Sequence, residues 1–175
     1  GNEGQLAATD GRQLLIQSGF EFPFRESVLV PFTTVFVSKH LPKDEPVSVG
    51  KSEDWSTFQV GSWTIHLPLV KEGRFPSVDD HIQDLADAAC RLRIAPSDAE
   101  FLTTSIGGLL NTDEFNNPVT VDLNGQAVLR SKAENQKHPT ELLLANSTYD
   151  GGPIRVNTNR DYLSRAVRLG FRDIC

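Results

Sequence analysis

The sequence has no methionine, only two cysteines and no long apolar run. A helix that spans a membrane needs roughly 18–20 consecutive apolar residues, and no stretch here approaches that. Cys90 and Cys175 lie far apart, and one is the last residue. This excludes a disulfide framework and a cysteine-built zinc site, and it fits the reducing cytoplasmic compartment. No basic segment leads into an apolar one at the start, so no secretory signal is expected. A chain that begins at Gly1 without a methionine is expected to be a processed or excised piece of something longer. Surplus positive charge is also missing: 17 Lys and Arg face 23 Asp and Glu, for a net charge of −6. That excludes a protein that coats nucleic acid with its whole surface. It leaves room for a local basic face, because salt screens fields beyond about 8–10 Å.

What is present suits one large domain or two small ones: 175 residues, 38% apolar and 23% charged. The stretch Thr9-Asp10-Gly11-Arg12-Gln13-Leu14 separates two apolar runs. Asp-Gly in that setting signals a hairpin, with Gly11 free to take the positive φ of a tight primed turn. The stretch reads either as a plain exposed turn or as the polar rim of a small apolar pocket walled by Leu14 and Leu15. Residues 6–9 and 14–18 are its strands. Phe20, Phe22 and Phe24 alternate in the loop that follows. Residues 27–30 read as a strand ended by Pro31, and 32–41 as a short helix closed by Pro42. Residues 46–50, 55–60 and 63–70 read as three strands, the last two joined by Gly61-Ser62.

The acidic stretch 77–89 reads as a linker or short helix and marks the main boundary. Beyond it, 90–95 is a strand. Ser97-Asp98-Ala99-Glu100 has the form of a capping box opening a helix from 98 to about 110. Residues 119–123 and 127–131 form a hairpin across Asn124-Gly125. Residues 141–149 read as one strand and 154–156 as another. Asn157 or Thr158 then caps a helix over 160–169, and a last strand begins at Phe171. A strand, a break and a helix thus recur three times. The breaks at Pro31, Pro96 and Asn157 fall about 60–65 residues apart, and the first two units continue into a meander of strands. The fold class is α+β, built from repeated βαβββ units.

No catalytic constellation appears. His40, His66, His81 and His138 are scattered without a metal spacing. Asp79 and Asp80 read as a solvated surface, and Gly107-Gly108 is not a phosphate loop. No cofactor or metal is expected. A small hydrolase using His66 and His81 is the weakest reading. The last helix is richer: Arg160, Arg165 and Arg168 give it a cationic side. The helix dipole favours cations near a C-terminus, and the same arginines suit sequence-independent phosphate contact. Tyr162 and Asn159 stand at i, i+3 on that helix.

Four motifs in order then resemble one family: Ala-Thr-Asp-Gly-Arg-Gln-Leu at 8–14, Val-Leu-Val-Pro at 28–31, Glu-Gly-Arg-Phe-Pro at 72–76 and Asn-x-x-Tyr-Leu at 159–163. The family is the bacterial DNA polymerase III β subunit, the DNA sliding clamp, whose members carry A-T-D-G-H-R-L, V-I-V-P, G-x-F-P and F-N-x-x-Y-L. The resemblance implies the DNA-clamp fold, with helices on one face of antiparallel sheets. It assigns residues 1–77 to the second half of the clamp's middle domain, 78–89 to a linker, and 90–175 to the third domain without its last strands. It implies a non-enzymatic processivity factor that encircles duplex DNA as a ring homodimer. Such a factor tethers polymerase, clamp loader and repair proteins through short peptides. The partner-peptide pocket is implied for Thr9, Gly11, Arg12, Gln13, Leu14, Pro76, Phe115, Asn159 and Tyr162. Lys39, Arg160, Arg165 and Arg168 are the candidates to face DNA. Two departures stand out: Arg12-Gln13 replaces the family's His-Arg, and Phe32-Thr33 stands where basic residues often face DNA. The alternative is a clamp-like protein-interaction module that does not encircle DNA.

Overall fold

A computed structural model describes residues 4–77, 82, 87–110 and 115–175. The chain divides into two units, Gly1–His81 and Ile82–Cys175.

In the first unit, β1 (Gly4–Thr9) and β2 (Leu14–Phe20) form an antiparallel hairpin with Thr9 opposite Leu14. The connection therefore has four residues, 10–13, rather than the two of a primed turn. The Asp10 side chain organises it: Oδ1 accepts from the N–H of Arg12 (3.0 Å) and Gln13 (2.8 Å), and Oδ2 from Gln13 Nε2 (3.0 Å). Gly11 has φ +83°, a conformation that side-chain-bearing residues rarely adopt. After β2, the rings of Phe20, Phe22 and Phe24 stack in sequence, with centroids 5.6 and 5.5 Å apart.

The strand expected at 27–30 does not form. Leu29 offers its carbonyl to Val70 N–H (2.8 Å), but no ladder develops before Pro31, which has no N–H to donate. The helix expected over 32–41 shrinks to one 3-10 turn, Val35–Val37. Thr33, Thr34, Val35 and Val37 are β-branched and poor helix formers. Side-chain oxygens also compete for the backbone: Thr33 Oγ1 accepts from Val35 N–H (3.2 Å), and Ser38 Oγ from His40 N–H (3.3 Å).

The meander that follows agrees with the sequence reading. β3 (Val47–Lys51), β4 (Trp55–Val60) and β5 (Trp63–Pro68) form one antiparallel sheet in the order β3-β4-β5. The register Val47–Val60–Trp63 puts Val49, Phe58, Ile65 and Leu67 on one face and Thr57, Thr64 and His66 on the other. Phe36 packs edge-on against Phe58 at 5.0 Å. Leu41, Val60 and Leu67 are the buried apolar residues among the described residues of this unit.

An exposed ion pair joins Lys51 to Glu26. The hydrogen bond from Lys51 is the main cause that holds the Glu26 carboxyl down at about 2. Lys51→Ala is expected to return it towards the ordinary 4.5, read by NMR titration of the side-chain carboxyl. A value that stays near 2 would show that Lys51 is not the cause.

The second unit runs β6 (Cys90–Arg93), α1 (Pro96–Ser105), β7 (Pro118–Leu123), β8 (Ala127–Ser131), β9 (Thr140–Leu143), β10 (Thr148–Gly151), β11 (Ile154–Asn159), α2 (Arg160–Arg168) and β12 (Asp173–Ile174). It has a four-stranded sheet, β11-β7-β8-β9, and a three-stranded sheet, β10-β6-β12. Both helices add to one apolar cluster that includes Leu92, Leu102, Ile106, Val119, Leu129, Leu163 and Val167.

Four expectations are corrected here. Ser97 does not cap α1: Pro96 takes the first helical position, Ala95 is the cap residue, and no side chain caps the helix. The single strand expected over 141–149 breaks into β9 and β10, which belong to different sheets. The Asn124-Gly125 hairpin has three loop residues, because Leu123 pairs with Ala127. Asn159, rather than Asn157 or Thr158, caps α2, and its Oδ1 accepts from the N–H of Asp161 (2.8 Å) and Tyr162 (3.3 Å). At the break, the buried Asp98 of α1 accepts from Asn146 N–H (2.8 Å), Asn146 Nδ2 (2.9 Å) and Ser147 Oγ (2.7 Å). The helix reading of 77–89 falls mostly outside the described residues.

Candidate partner-binding site

Five of the candidate residues lie together at the tip of the first hairpin. Thr9 Oγ1 donates to Gln13 O (2.7 Å) and accepts from Gly11 N–H (3.0 Å), which closes the loop from inside. Arg12 is exposed, and Gln13 is half-buried and held by Asp10. Leu14 opens β2 with 38% of its surface accessible, a large apolar side chain beside polar groups that are fixed in place. Pro76, in the same unit, is exposed.

Three more candidates belong to the second unit, and two of them, Asn159 and Tyr162, stand at the start of α2. Asn117 braces the first turn of that helix: its carbonyl accepts from Arg160 N–H (2.9 Å), and its Nδ2 donates to Asp161 Oδ2 (2.8 Å). Asn117 adopts φ +42°, uncommon for a residue with a side chain. Its two hydrogen bonds hold Asn117 against the helix that Asn159 caps and that carries Tyr162. Phe115 is 71% accessible and Tyr162 is half-buried. The Asn159 amide oxygen is spent on the cap.

The cationic candidates separate. Arg160 is half-buried and engaged with its own unit: Nη1 donates to Leu109 O and Nη2 to Asn117 Oδ1 (3.3 Å), so it is not the exposed phosphate contact that the sequence suggested. Arg165 and Arg168 are exposed in the last turn of α2, and Arg168 Nη2 also donates to Thr103 O (3.2 Å). Lys39 is exposed in the first unit.

Among the described residues no group of three or more His, Cys, Asp or Glu could hold a metal ion. His66 Nδ1 is paired with Thr57 Oγ1 at 2.9 Å, a cross-strand contact on the polar face of its sheet. His81 lies outside the described residues. Among these residues no helix is long and apolar enough to cross a membrane.

The sequence reading missed a buried carboxylate. Asp122 is 2% accessible, and its Oδ2 accepts from Arg130 Nη1 and from Arg155 Nε (2.7 Å). The signal was available in the alternation of Thr120-Val121-Asp122-Leu123 against Arg130 and Arg155, once the three strands were paired.

No protein-family model matches the sequence, and no curated protein matches it. Solved structures do. The DNA polymerase III subunit β from Pseudomonas aeruginosa superposes with a TM-score of 0.69 at 20% identity, over 97% of this chain and 46% of that one. The sliding clamp from Bartonella birtlesii, bound to griselimycin, gives 0.70 at 21% over 98% and 46%. A third structure, from Eubacterium rectale, gives 0.68 at 20% over 98% and 47%. The chain has the fold of the bacterial sliding clamps. It spans about half the length of the clamps it matches. The clamp fold accounts for the repeated three-stranded meander, β3-β4-β5 in one unit and β7-β8-β9 in the other. Among the described residues, only those of the second unit keep a full helix within the repeat.

Proposed function

We propose that this chain is part of a DNA sliding clamp, a non-enzymatic processivity factor of the cytoplasm. Residues 1–77 would be the second half of its middle domain, 78–89 the linker, and 90–175 the third domain without its last strands. The observation that carries the reading is the superposition of nearly the whole chain on bacterial β subunits. Partner proteins dock on it through short peptides. Leu14 and Tyr162 provide the apolar contact, Thr9, Gly11, Arg12, Gln13 and Asn159 the polar rim, and Pro76 and Phe115 further apolar surface. A few apolar anchors with a polar rim are what short-peptide recognition needs. DNA contact falls to Arg165 and Arg168, with Lys39 in the first unit. It is weak and sensitive to salt, because a clamp must slide and phosphate contacts suffice. The ring closes as a homodimer in the full-length protein, where polymerase, clamp loader and repair proteins are the partners.

The test is fluorescence anisotropy with a labelled Gln-Leu-x-Leu-Phe peptide. Saturable binding in the micromolar range is expected, with Leu14→Ala and Tyr162→Ala each weakening it at least about tenfold, the scale of a lost hot-spot side chain. A folded chain that binds no peptide, or variants that bind as well as the parent, would remove the peptide-site assignment. The inward Arg160 and the net charge of −6 favour a second reading, a clamp-like docking module that does not encircle DNA. Peptide binding without any low-salt retention of duplex DNA would select it.

A further inference from the structure

The four-stranded sheet of the second unit has a face that neither the peptide site nor the DNA contact uses. Residues paired across antiparallel strands share a face. Val119, Leu123, Ala127 and Leu129 face the apolar cluster with α2's Leu163 and Val167. The alternate residues therefore lie on the far side. There Thr120 is opposite both Arg130 and Asn157, Asp122 is opposite Arg155, and Arg130 is opposite Glu141. A groove of about 240 Å³ opens among Pro118, Thr120, Arg130, Lys132, Pro139 and Asn157.

Its chemistry is that of an anion site. Glu141 takes Arg130 Nε (2.6 Å) and the buried Asp122 takes Nη1, which fixes the guanidinium and leaves the Nη2 hydrogens for a ligand. Thr120 Oγ1 donates to Asn157 Oδ1 (2.7 Å), which leaves the Asn157 NH2 as a donor. Among the described residues Lys132 is exposed and in no ion pair. Arg155 stands two residues from Asn157 on the same strand face, with two thirds of its side chain accessible. Donors thus outnumber acceptors. The volume lies below the range of drug-sized pockets and suits a single side chain. Two rigid prolines wall it and no aromatic ring lines it, whereas single-stranded nucleic acid is held by stacking on aromatic rings. A duplex lying on Arg165 and Arg168 of α2 would be on the other side of the sheet.

We propose that this groove takes a carboxylate side chain from an acidic segment of a protein partner, a site separate from the Leu14–Tyr162 peptide residues and independent of that reading. The experiment is amide NMR of the labelled chain titrated with a short polyglutamate peptide and, separately, with a short oligothymidine. Polyglutamate is expected to give saturable shifts at Thr120, Arg130, Lys132 and Asn157. Lys132→Glu, an exposed substitution that leaves the rest of the spectrum unchanged, should weaken them about fivefold, the scale of one rim charge. Four amides unmoved by polyglutamate, shifts that survive Lys132→Glu, or a response to oligothymidine alone would each overturn the proposal.

Discussion

Leu129→Ala is expected to remove about 3–4 kcal/mol of stability from the second unit, the middle of the range for a fully buried leucine. Leu129 has no accessible surface and sits in β8 between Val121 of β7 and Leu142 of β9. Its side chain joins the cluster to which α1 gives Leu102 and α2 gives Leu163 and Val167. Collapse around the cavity would require two helices and three strands to move together, so little relaxation is available to reduce the cost. The aromatic residues make the effect readable. Trp55 and Trp63, the only tryptophans, are in the first unit, and both tyrosines, Tyr149 and Tyr162, are in the second. Urea unfolding followed by tyrosine near-UV signals should shift to lower midpoint. A loss below about 1 kcal/mol would mean that this cluster is not close-packed. Leu67→Ala in the first unit should cost less, because Leu67 keeps 9% of its surface accessible and has few buried neighbours.

That contrast explains which elements could be read from the sequence. Where strands pair locally, alternation and turn chemistry sufficed: β1 with β2 around Gly11, β4 with β5 around Gly61-Ser62, and β7 with β8 around Gly125. Loop lengths were harder, because Asp10 recruits two further residues through its carboxylate, a choice that only the side-chain geometry reveals. The helix at 32–41 failed because Thr33, Thr34, Val35 and Val37 are β-branched and Thr33 and Ser38 capture backbone N–H groups. The strand at 141–149 failed for a long-range reason. Its middle is pulled out by Asp98, more than forty residues earlier, and no local window contains that partner.

For the candidate site, the structure speaks to the local arrangement of the residues that the sequence singled out. Motifs marked the hairpin tip and the start of α2, and hydrogen bonding explains each local arrangement. Arg160 was misread because its helix position suggests solvent, while the carbonyl of Leu109 and the amide of Asn117 draw it in. The cap lies one or two residues later than expected for a related reason. β11 runs on to Asn159, pairing with Pro118, so the helix cannot begin earlier.

Asp98→Ala is the second large effect, expected to cost the second unit about 3 kcal/mol, the scale for losing charge-assisted hydrogen bonds to a buried carboxylate. The carboxylate fastens the first turn of α1 to the segment joining β9 and β10, and Ser147 extends the link by accepting from Ala95 N–H (3.1 Å). Removing it strands the Asn146 N–H and the Ser147 hydroxyl. Asp98→Asn should cost less, because an amide oxygen can still accept from both. The pH dependence follows from opposing causes. Burial pushes the Asp98 carboxyl up, but the hydrogen bonds from Ser147 and Asn146 outweigh it and leave it below the usual value. A group depressed in the folded state stabilises fully above its unfolded value, near 3.9 for aspartate, and that contribution fades as pH falls through the folded one. The stability gap between parent and Asp98→Ala should therefore be widest near neutral pH and narrow below about pH 4. Urea unfolding across that range decides it. A gap that stays constant with pH would show that Asp98 acts by shape alone, and a gap that widens in acid would reverse the sign of its shift.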